Sequence, residues 1–274
     1  HPDSDLIDAG GSIEGITDGF IGDAPDQGAY EYGGEIWVPG ISWDISEVFG
    51  DEFSEPEPMF DGSLFHVSIN GSNNDDGSID NPFLSIQFAY DRADEHDTIL
   101  VHPGVYNDDI WFYGKNVVLG SLYLSTGDTS FISSTIIDGD STDCTIAIYG
   151  NIDSTCRVTG FTIQNGIGCV YGQGAGIYVE SASPRLDNLI IKNNIGGTNG
   201  GGICLNGNSN SLIDKVVIKN NSADTGGGLY SFNSNPVITN SVIQNNHSNN
   251  GAGVFLELCS PNFENVSITD NYAI

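Results

Sequence analysis

The sequence predicts an all-β solenoid, in which short strands wind into stacked parallel coils. Five isoleucines in similar contexts follow one another at a nearly constant interval: Ile163, Ile191, Ile218, Ile243 and Ile268. A glycine phrase, "GAGIY" in its first copy, returns independently at almost the same spacing as "GGGIC", "GGGLY" and "GAGVF". A repeat of roughly 20 to 50 residues indicates a solenoid, propeller or array. The runs between these markers are β-branched and bounded by Asn, Gly and Ser, which predicts strands joined by turns.

The elements follow in order from residue 64. Residues 64–69 are predicted to form the first strand, and residues 84–94, "LSIQFAYDRAD", a short helix. Ile86, Phe88 and Ala89 of that helix should face the core. Further strands are predicted around "TILVHPG", "VVLGSLYL", "STIIDG" and "TIAIYG", and regular coils over residues 156–274.

The turns between strands carry asparagine and glycine at fixed places. Equivalent residues of stacked coils lie about 4.8 Å apart, so their amides can bond one another. This predicts a structural ladder of Asn165, Asn193, Asn220, Asn245 and Asp270. The glycines are expected at the sharp bend between two strands, where a Cβ is excluded.

Residues 65–108 carry a more specific pattern, beginning "FHVSINGSNNDDGSIDNPF". Together with the glycine triplets and "NN" repeats, they resemble the right-handed parallel β-helix of the pectate-lyase-like superfamily, in particular its large secreted or cell-surface repeat proteins. The resemblance implies an all-β, right-handed parallel β-helix solenoid over residues 63–274, with a short N-terminal cap helix within 64–108. It also implies an extracellular location. The superfamily contains lyases, hydrolases, adhesins and filaments, so the fold does not imply the function.

The two ends of the sequence suggest its domain organisation. Residues 1–35 resemble the closing segment that follows the last coil of such proteins, and residues 36–62 are predicted to form an acidic linker. The last coil is expected to be uncapped, exposing apolar core and unpaired backbone groups. We therefore expect copies of this chain, or further β-helix units, to associate end to end.

The composition excludes some partners. Seven basic residues oppose 37 acidic ones, for a net charge of −30. Such a field repels nucleic acid and anionic membranes, and disfavours polyuronates unless cations bridge. No stretch approaches the roughly 20 apolar residues of a membrane-spanning helix, so membrane insertion is not expected. Five cysteines cannot all pair within one chain; Cys144 and Cys156 are close enough in sequence to bridge neighbouring coils, and free buried thiols are an equal alternative.

Three side chains of the glycine-led strands suggest a binding face. Alternation along these strands places Tyr178, Tyr230 and Phe255 outward, in a ladder interrupted by Cys204. Such rings can stack on sugar rings, which makes carbohydrate binding a hypothesis. The alternative is packing against a long loop or a neighbouring chain.

A second outer column contains acids. Asp187 and Asp214 should lie one coil apart, about 5 Å, so that repulsion raises one pKa unless a cation lies between them. That separation suits a retaining glycosidase. Arg185 and Lys192, beside Asp187, could supply the base and the charge neutralisation of a lyase. The alternative is a surface lattice of salt bridges.

A calcium site is the one cofactor hypothesis. Asp75, Asp76 and Asp80 surround Gly77, and carboxylate and carbonyl oxygens are the ligands of Ca²⁺. No Glu stands at the closing position that an EF-hand loop requires.

Taken together, the sequence favours a non-enzymatic function. We predict an extracellular structural or adhesive β-helix module of a surface or fibre-forming protein, with a carbohydrate-contacting face as a further hypothesis. A polysaccharide lyase or glycosidase acting on the outer face is the alternative.

Overall fold

The computed structural model describes residues 63–141, 143–169 and 172–273. The predicted closing segment, 1–35, and linker, 36–62, lie outside these residues. The strands have the following bounds: β1 Leu64–Val67, β2 Thr98–Val101, β3 Gly104–Tyr106, β4 Ile110–Tyr113, β5 Val118–Ser121, β6 Thr135–Asp138, β7 Ile146–Tyr149, β8 Arg157–Thr159, β9 Thr162–Gln164, β10 Ile177–Glu180, β11 Arg185–Asp187, β12 Ile190–Lys192, β13 Ile203–Asn206, β14 Leu212–Asp214, β15 Val217–Lys219, β16 Ser222–Thr225, β17 Leu229–Phe232, β18 Val237–Thr239, β19 Val242–Gln244, β20 His247–Asn250, β21 Val254–Glu257, β22 Asn262–Glu264, β23 Ser267–Thr269 and β24 Tyr272–Ala273.

Short helices accompany the strands: α1 Ile86–Arg92, α2 Tyr123–Thr126 and α3 Ser130–Ser134. The first lies where the sequence predicts a helix, and Ser85 caps it by accepting a hydrogen bond from the Phe88 N–H at 3.2 Å. Its residues Ile86 and Ala89 are buried. No helix of the described segments is long and apolar enough to cross a membrane.

The strands form parallel sheets that run along the coil axis, which confirms the predicted solenoid. Sheet A has the order β1-β2-β5-β8-β11-β14-β18-β22, and sheet B has the order β23-β19-β15-β12-β9-β6-β3. Sheet C has the order β21-β17-β13-β10-β7-β4, and the short sheet D has the order β16-β20-β24. Each strand pairs with the equivalent strand of the next coil, as Ile191 does with Ile218.

The core is a column of aliphatic side chains inside these sheets. The coils contribute inward residues from sheets A, B and C, such as Val158, Ile163 and Ile177, and these three are fully buried. Phe112 and Phe161 are the largest side chains in the column. The alternation that buries them also points the intervening residues outward, and those residues carry the candidate sites.

The asparagine ladder lies one residue later than predicted. Each of the predicted residues Asn165, Asn193, Asn220, Asn245 and Asp270 has a positive φ of 55 to 61° and turns the chain. The stacked amides belong to the second residue of each "NN" pair. Asn194 Nδ2 donates to Asn221 Oδ1 at 3.0 Å, and Asn221 Nδ2 donates to Asn246 Oδ1 at 3.1 Å. Asparagine tolerates left-handed backbone, so one residue makes the turn and the next points its amide inward.

The glycine corners have two separate steric causes. Gly226 has a φ of +67°, and a Cβ there would lie 2.8 Å from the Cβ of Tyr230. Gly202 has no such φ, but its Cβ would lie 2.5 Å from the Gly228 carbonyl oxygen of the next coil. The first glycine of the phrase therefore makes room for an outward side chain, and the last allows neighbouring coils to approach.

Candidate functional site: an aromatic platform on the outer face of sheet C

The outer face of sheet C carries two columns of side chains. In the first column, Trp111 and Tyr178 flank Ala147, and the register continues through Cys204, Tyr230 and Phe255. In the second column, the register runs in order through Tyr113, Tyr149, Glu180, Asn206, Phe232 and Glu257. The structure therefore places Tyr178, Tyr230 and Phe255 on the outer face, as predicted.

Two of these three predicted sugar-binding rings are nevertheless covered. Tyr178 is 5% exposed and Tyr230 is 8% exposed, and each packs against the corner glycine that precedes its strand. Cys204 is fully buried, and with the two tyrosines it belongs to a small apolar cluster outside the main core. Only Phe255 of the three is partly open. The middle of the ladder thus offers little ring surface, so it fits the packing alternative better than sugar stacking.

The most exposed ring of this face, Tyr113, lies at its other end. Trp111, Tyr113 and Tyr149, which we call the aromatic platform, are three nearly parallel rings that stack on one another. Their centroids lie 6.2 Å apart for Trp111 and Tyr113, 5.9 Å for Trp111 and Tyr149, and 5.4 Å for Tyr113 and Tyr149. The planes differ by only 8 to 13°. Tyr113 is 60% exposed, and the other two are partly buried.

Helix α1 holds the platform in place. Strand β4 is the edge strand of sheet C, and its outer backbone groups need partners. The Gln87 side chain accepts a hydrogen bond from the Trp111 N–H at 2.7 Å, and the Tyr90 hydroxyl accepts one from the Tyr113 N–H at 2.7 Å. The cap helix therefore completes the edge strand at the two residues that carry platform rings.

Tyr149 has an unusual hydroxyl. The oxygen is buried, and it has no hydrogen-bond partner among the residues that the structure describes. Burial raises the pKa of Tyr149 to about 12, and the charges of Tyr113, Glu180 and Asp143 act in the same direction. The side chain is therefore a neutral phenol over the physiological range.

A disulfide braces the neighbouring loop. Cys144 pairs with Cys169, and both belong to the cluster that contains Tyr178. The bridge suggested between Cys144 and Cys156 is wrong, because Cys156 is a buried free thiol whose pKa is raised to about 12 by burial. Parallel coils bring together residues one period apart, and the sequence separation of 25 between the paired cysteines matches that period. Cys156 follows Cys144 by only half a coil, so the winding of the chain carries it away from Cys144.

The acids predicted as a catalytic column on sheet A belong to a network of ion pairs and hydrogen bonds. Asp187 pairs in register with Asp214, as predicted, but Asp187 is fully buried. Arg157 binds it in a bidentate manner at 2.7 and 2.8 Å, and Arg185 reaches it at 2.9 Å. Burial acts to raise the pKa of Asp187, but hydrogen bonds from Arg157, Thr159 and Asn188 outweigh it and lower the pKa. Arg157 was not among the predicted site residues, although it lies one coil from Arg185.

The predicted catalytic set is not assembled. Burial also acts to raise the pKa of Asp214, and hydrogen bonds from Thr239 and Asn240 lower it, so neither acid of the pair has a raised pKa. Lys192 lies on strand β12 of sheet B, in register with Lys219, whereas Asp187 and Arg185 lie on sheet A. The result is a buried ion cluster on sheet A that includes Arg185, with Lys192 on another sheet.

The predicted calcium loop is exposed at its three acids. The side chain of Asp76 accepts a hydrogen bond from the Ser78 N–H at 2.9 Å, and hydrogen bonding to Ser78 lowers the pKa of Asp76. Asp75 and Asp80 do not form a group with it: in the described part of the chain, the acids, histidines and cysteines that converge within 4.8 Å in a group of three or more are Asp143, Cys144 and Cys169. The two cysteines of that group form the disulfide. Calcium binding stays a prediction.

The fold and the site define a β-helix protein with an outward aromatic face, and the comparisons agree on the fold. The family model described as "Right handed beta helix region" matches residues 120–274. The chain belongs to this family, which confirms the predicted hand of the solenoid. No curated protein matches the chain by sequence.

The solved structures that are similar to the chain include two pectin methylesterases. One is a pectin methylesterase in complex with a hexasaccharide, at 13% identity and a TM-score of 0.45, covering 74% of this chain. The other is the pectin methylesterase PemA from Erwinia chrysanthemi, at 15% identity and a TM-score of 0.38, covering 64% of this chain. The chain spans 65% of the first enzyme's length and 55% of the second's. A likeness this distant carries no argument about activity.

The platform was not among the predicted sites, although the sequence contains a signal for it. "IWFY" at residues 110–113 and "IAIY" at residues 146–149 repeat the alternation of "GIYVE", with inward residues at every second position. The coils that contain them lack the glycine triplet, so a search by that phrase passes over them.

Proposed function

We propose that this chain is an extracellular β-helix module that binds a polysaccharide on the aromatic platform. The observation that supports the proposal is the set of three nearly parallel rings on one sheet face, with Tyr113 largely exposed. Sugar rings have an apolar face of C–H groups, and large flat side chains are the surface against which such a face packs. The parallel strands fix the spacing of the rings before a ligand arrives, which lowers the ordering cost of binding.

The surroundings of the platform support binding by a rigid surface. Both platform residues of the edge strand make backbone hydrogen bonds to α1, and the Cys144–Cys169 disulfide fixes the adjacent loop. A polar side chain that could direct sugar hydroxyls, Asn206, lies further along the second column. Binding sites for small ligands combine apolar contact with a few polar groups in this way.

The test is isothermal titration of the chain with a panel of neutral oligosaccharides. Trp111→Ala and Tyr113→Ala should each weaken binding at least about tenfold, which corresponds to about 1.4 kcal/mol. Tyr272→Ala is the matched control, because Tyr272 is 65% exposed and stacks on His247 in sheet D, away from the platform. Unchanged affinity in Trp111→Ala, or an equal loss in Tyr272→Ala, would contradict the proposal.

A polysaccharide lyase or glycosidase on the same face is the second candidate. The acids that support it are Glu180 and Asp143, whose charges both reach Tyr149, in place of the predicted pair Asp187 and Asp214. A glycosidase needs two carboxyl groups about the scissile bond. On incubation, a glycosidase should shorten the same neutral oligosaccharides and a lyase should shorten oligouronates, and Glu180→Gln should stop the cleavage while binding persists. If the oligosaccharides stay intact at high protein concentration, the enzyme candidate is contradicted and only the proposal of a binding module stands.

End-to-end association is a separate proposal about the whole assembly. Light scattering across protein concentration, with and without calcium, tests it together with the calcium prediction. A mass that stays at that of one chain, 29.1 kDa, would contradict association.

A further inference from the structure

Carboxylates border the aromatic platform. Glu180 follows Tyr149 in the same outward column, one strand away, and its carboxylate accepts a hydrogen bond from the Tyr178 hydroxyl at 3.1 Å. Asp143 lies beside the disulfide, with an oxygen within 4.8 Å of both sulfur atoms. The charges of Glu180 and Asp143 both contribute to the raised pKa of Tyr149, so both acids lie near this ring.

A third acid lies on the side of the cap helix. Asp91 accepts a hydrogen bond from Gln87 Nε2 at 2.8 Å, and the same Gln87 side chain pairs with the backbone of Trp111. Negative charge therefore borders the platform both along sheet C and at its helix edge.

The nearby cations are held elsewhere. The Lys115 ammonium donates to the carbonyl oxygens of Tyr90 and Ala93, each at 2.8 Å, and lies 4.4 Å from the Tyr90 ring centroid. The Arg92 guanidinium lies 3.3 Å from the Phe88 ring centroid. Both charges are therefore directed at the cap helix, and the chain as a whole carries −30.

We infer that the platform binds a polymer of cationic amino sugars, an inference that rests on the proposed function. The faces of the rings carry negative quadrupole charge, so a ligand ammonium gains a cation–π attraction in addition to apolar contact. Glu180, Asp143 and Asp91 add Coulomb attraction for ammonium groups along the bound polymer. A neutral sugar gains only the apolar contact, and a polyuronate is repelled by the net charge.

The test compares three ligands of equal length: glucosamine oligomers under conditions that protonate the amine, N-acetylglucosamine oligomers, and oligogalacturonate. We expect the glucosamine oligomer to bind about tenfold more tightly than its neutral counterpart, or about 1.4 kcal/mol. The oligogalacturonate should bind more weakly than both. Added salt should reduce the preference, because it screens the partly exposed charges.

Variants separate the inference from the proposed function. Glu180→Gln should reduce the preference for the cationic oligomer and keep the neutral one bound, whereas Trp111→Ala should weaken both. Glu264→Gln is the charge control, because Glu264 is an exposed acid on sheet A. Equal affinity for the cationic and neutral oligomers would overturn this inference and leave the proposed function standing. If neither oligomer bound, both would be overturned.

Discussion

The first coils and the last coils use one fold with different side chains. From β10 onward, the coils repeat the same buried amide and the same glycine corner, as Asn194, Asn221 and Asn246 show. Among the described coils, those that contain β4 and β7 use other devices. A helix provides hydrogen-bond partners for their edge strand, and a disulfide links their loop to the next coil. Their outer face carries the stacked rings of Trp111 and its neighbours.

The difference indicates a division of tasks. A ladder of identical residues stabilises stacking and makes the coils interchangeable, so any one coil has little to distinguish it. The coils at β4 and β7 carry side chains that the repeat does not reproduce, and these make the platform. Function in a solenoid is therefore best sought where the repeat fails.

The largest effect should come from breaking the ladder of the last coils. In Asn221→Ala, the Asn194 N–H and the Ile191 carbonyl lose their buried partners. At about 1 to 3 kcal/mol for each unsatisfied group, the free energy of unfolding should fall by about 3 kcal/mol in urea titrations. Asn220→Gly is the control, since Asn220 is exposed and has a φ of 57° that glycine adopts freely. An equal loss of unfolding free energy in both variants would contradict the claim that the stacked amides stabilise the fold.

The next effect tests the junction between the two regions. Asp187 of β11 accepts two hydrogen bonds from Arg157 of β8, and so joins the coils on either side. Asp187→Ala leaves two arginines without their carboxylate. We expect a loss of about 2 to 3 kcal/mol, below the roughly 3 to 5 kcal/mol of a fully buried pair, because both arginines reach solvent. Asp214→Ala, with a partly exposed acid, should cost less. The same loss in both would contradict a special role for Asp187.

The contribution of Asp187 should also depend on pH. Its pKa is lowered in the folded state, so its contribution is fully present above the unfolded pKa of about 3.9 and is lost as the pH falls through the folded value. The difference in unfolding free energy between the wild type and Asp187→Ala should therefore stay constant near neutral pH and shrink below about pH 4. Urea titrations at several pH values measure it, and a difference that shrank already near neutral pH would contradict the lowered pKa.

The repeating region could be predicted from sequence almost residue by residue. Coil registers, inward positions and corner glycines follow from periodicity, because every coil meets the same steric requirements. The ladder prediction was one residue early, since sequence shows two adjacent asparagines without showing which one has positive φ. The burial of the Tyr178 and Tyr230 rings could not be predicted for a similar reason. Alternation tells on which side of the sheet a side chain lies, but not whether other residues cover it.

The non-repeating region could be predicted only in part. The cap helix follows from its apolar positions, as at Ile86 and Ala89. The platform depends on the pairing of β4 with β7, and the ion cluster on the reach of Arg157 along sheet A. Such contacts are not repeated from coil to coil, so no internal comparison reveals them.

A smaller effect should appear at the first coil, in its pH dependence. His66 Nδ1 and His102 Nε2 lie 3.0 Å apart, and burial lowers the pKa of both rings below the ordinary value, with the His102 charge adding to the effect on His66. The unfolded chain then binds more protons below about pH 6.5, so stability falls as the pH drops through that value. We expect the free energy of unfolding to fall between about pH 7.5 and about pH 5.5.

Two substitutions locate that pH dependence. His66→Gln should flatten the dependence of the urea midpoint on pH, whereas His247→Gln, at an exposed histidine of the last coils, should leave it unchanged. The same slope in His66→Gln and the wild type would show that other groups cause the loss.

The smallest effect concerns the platform itself. Tyr149→Phe keeps the ring and removes a buried hydroxyl that has no partner among the described residues. Removing an unsatisfied polar group should leave stability unchanged or raise it by up to about 1 kcal/mol, and oligosaccharide binding should persist. Tyr178→Phe is the contrast, because that hydroxyl donates to Glu180, and its loss should cost about 1 kcal/mol. If Tyr149→Phe were the more destabilising of the two, the Tyr149 hydroxyl would have a hydrogen-bond partner in the folded protein. The buried polar groups of the non-repeating face would then be as fully hydrogen-bonded as those of the asparagine ladder.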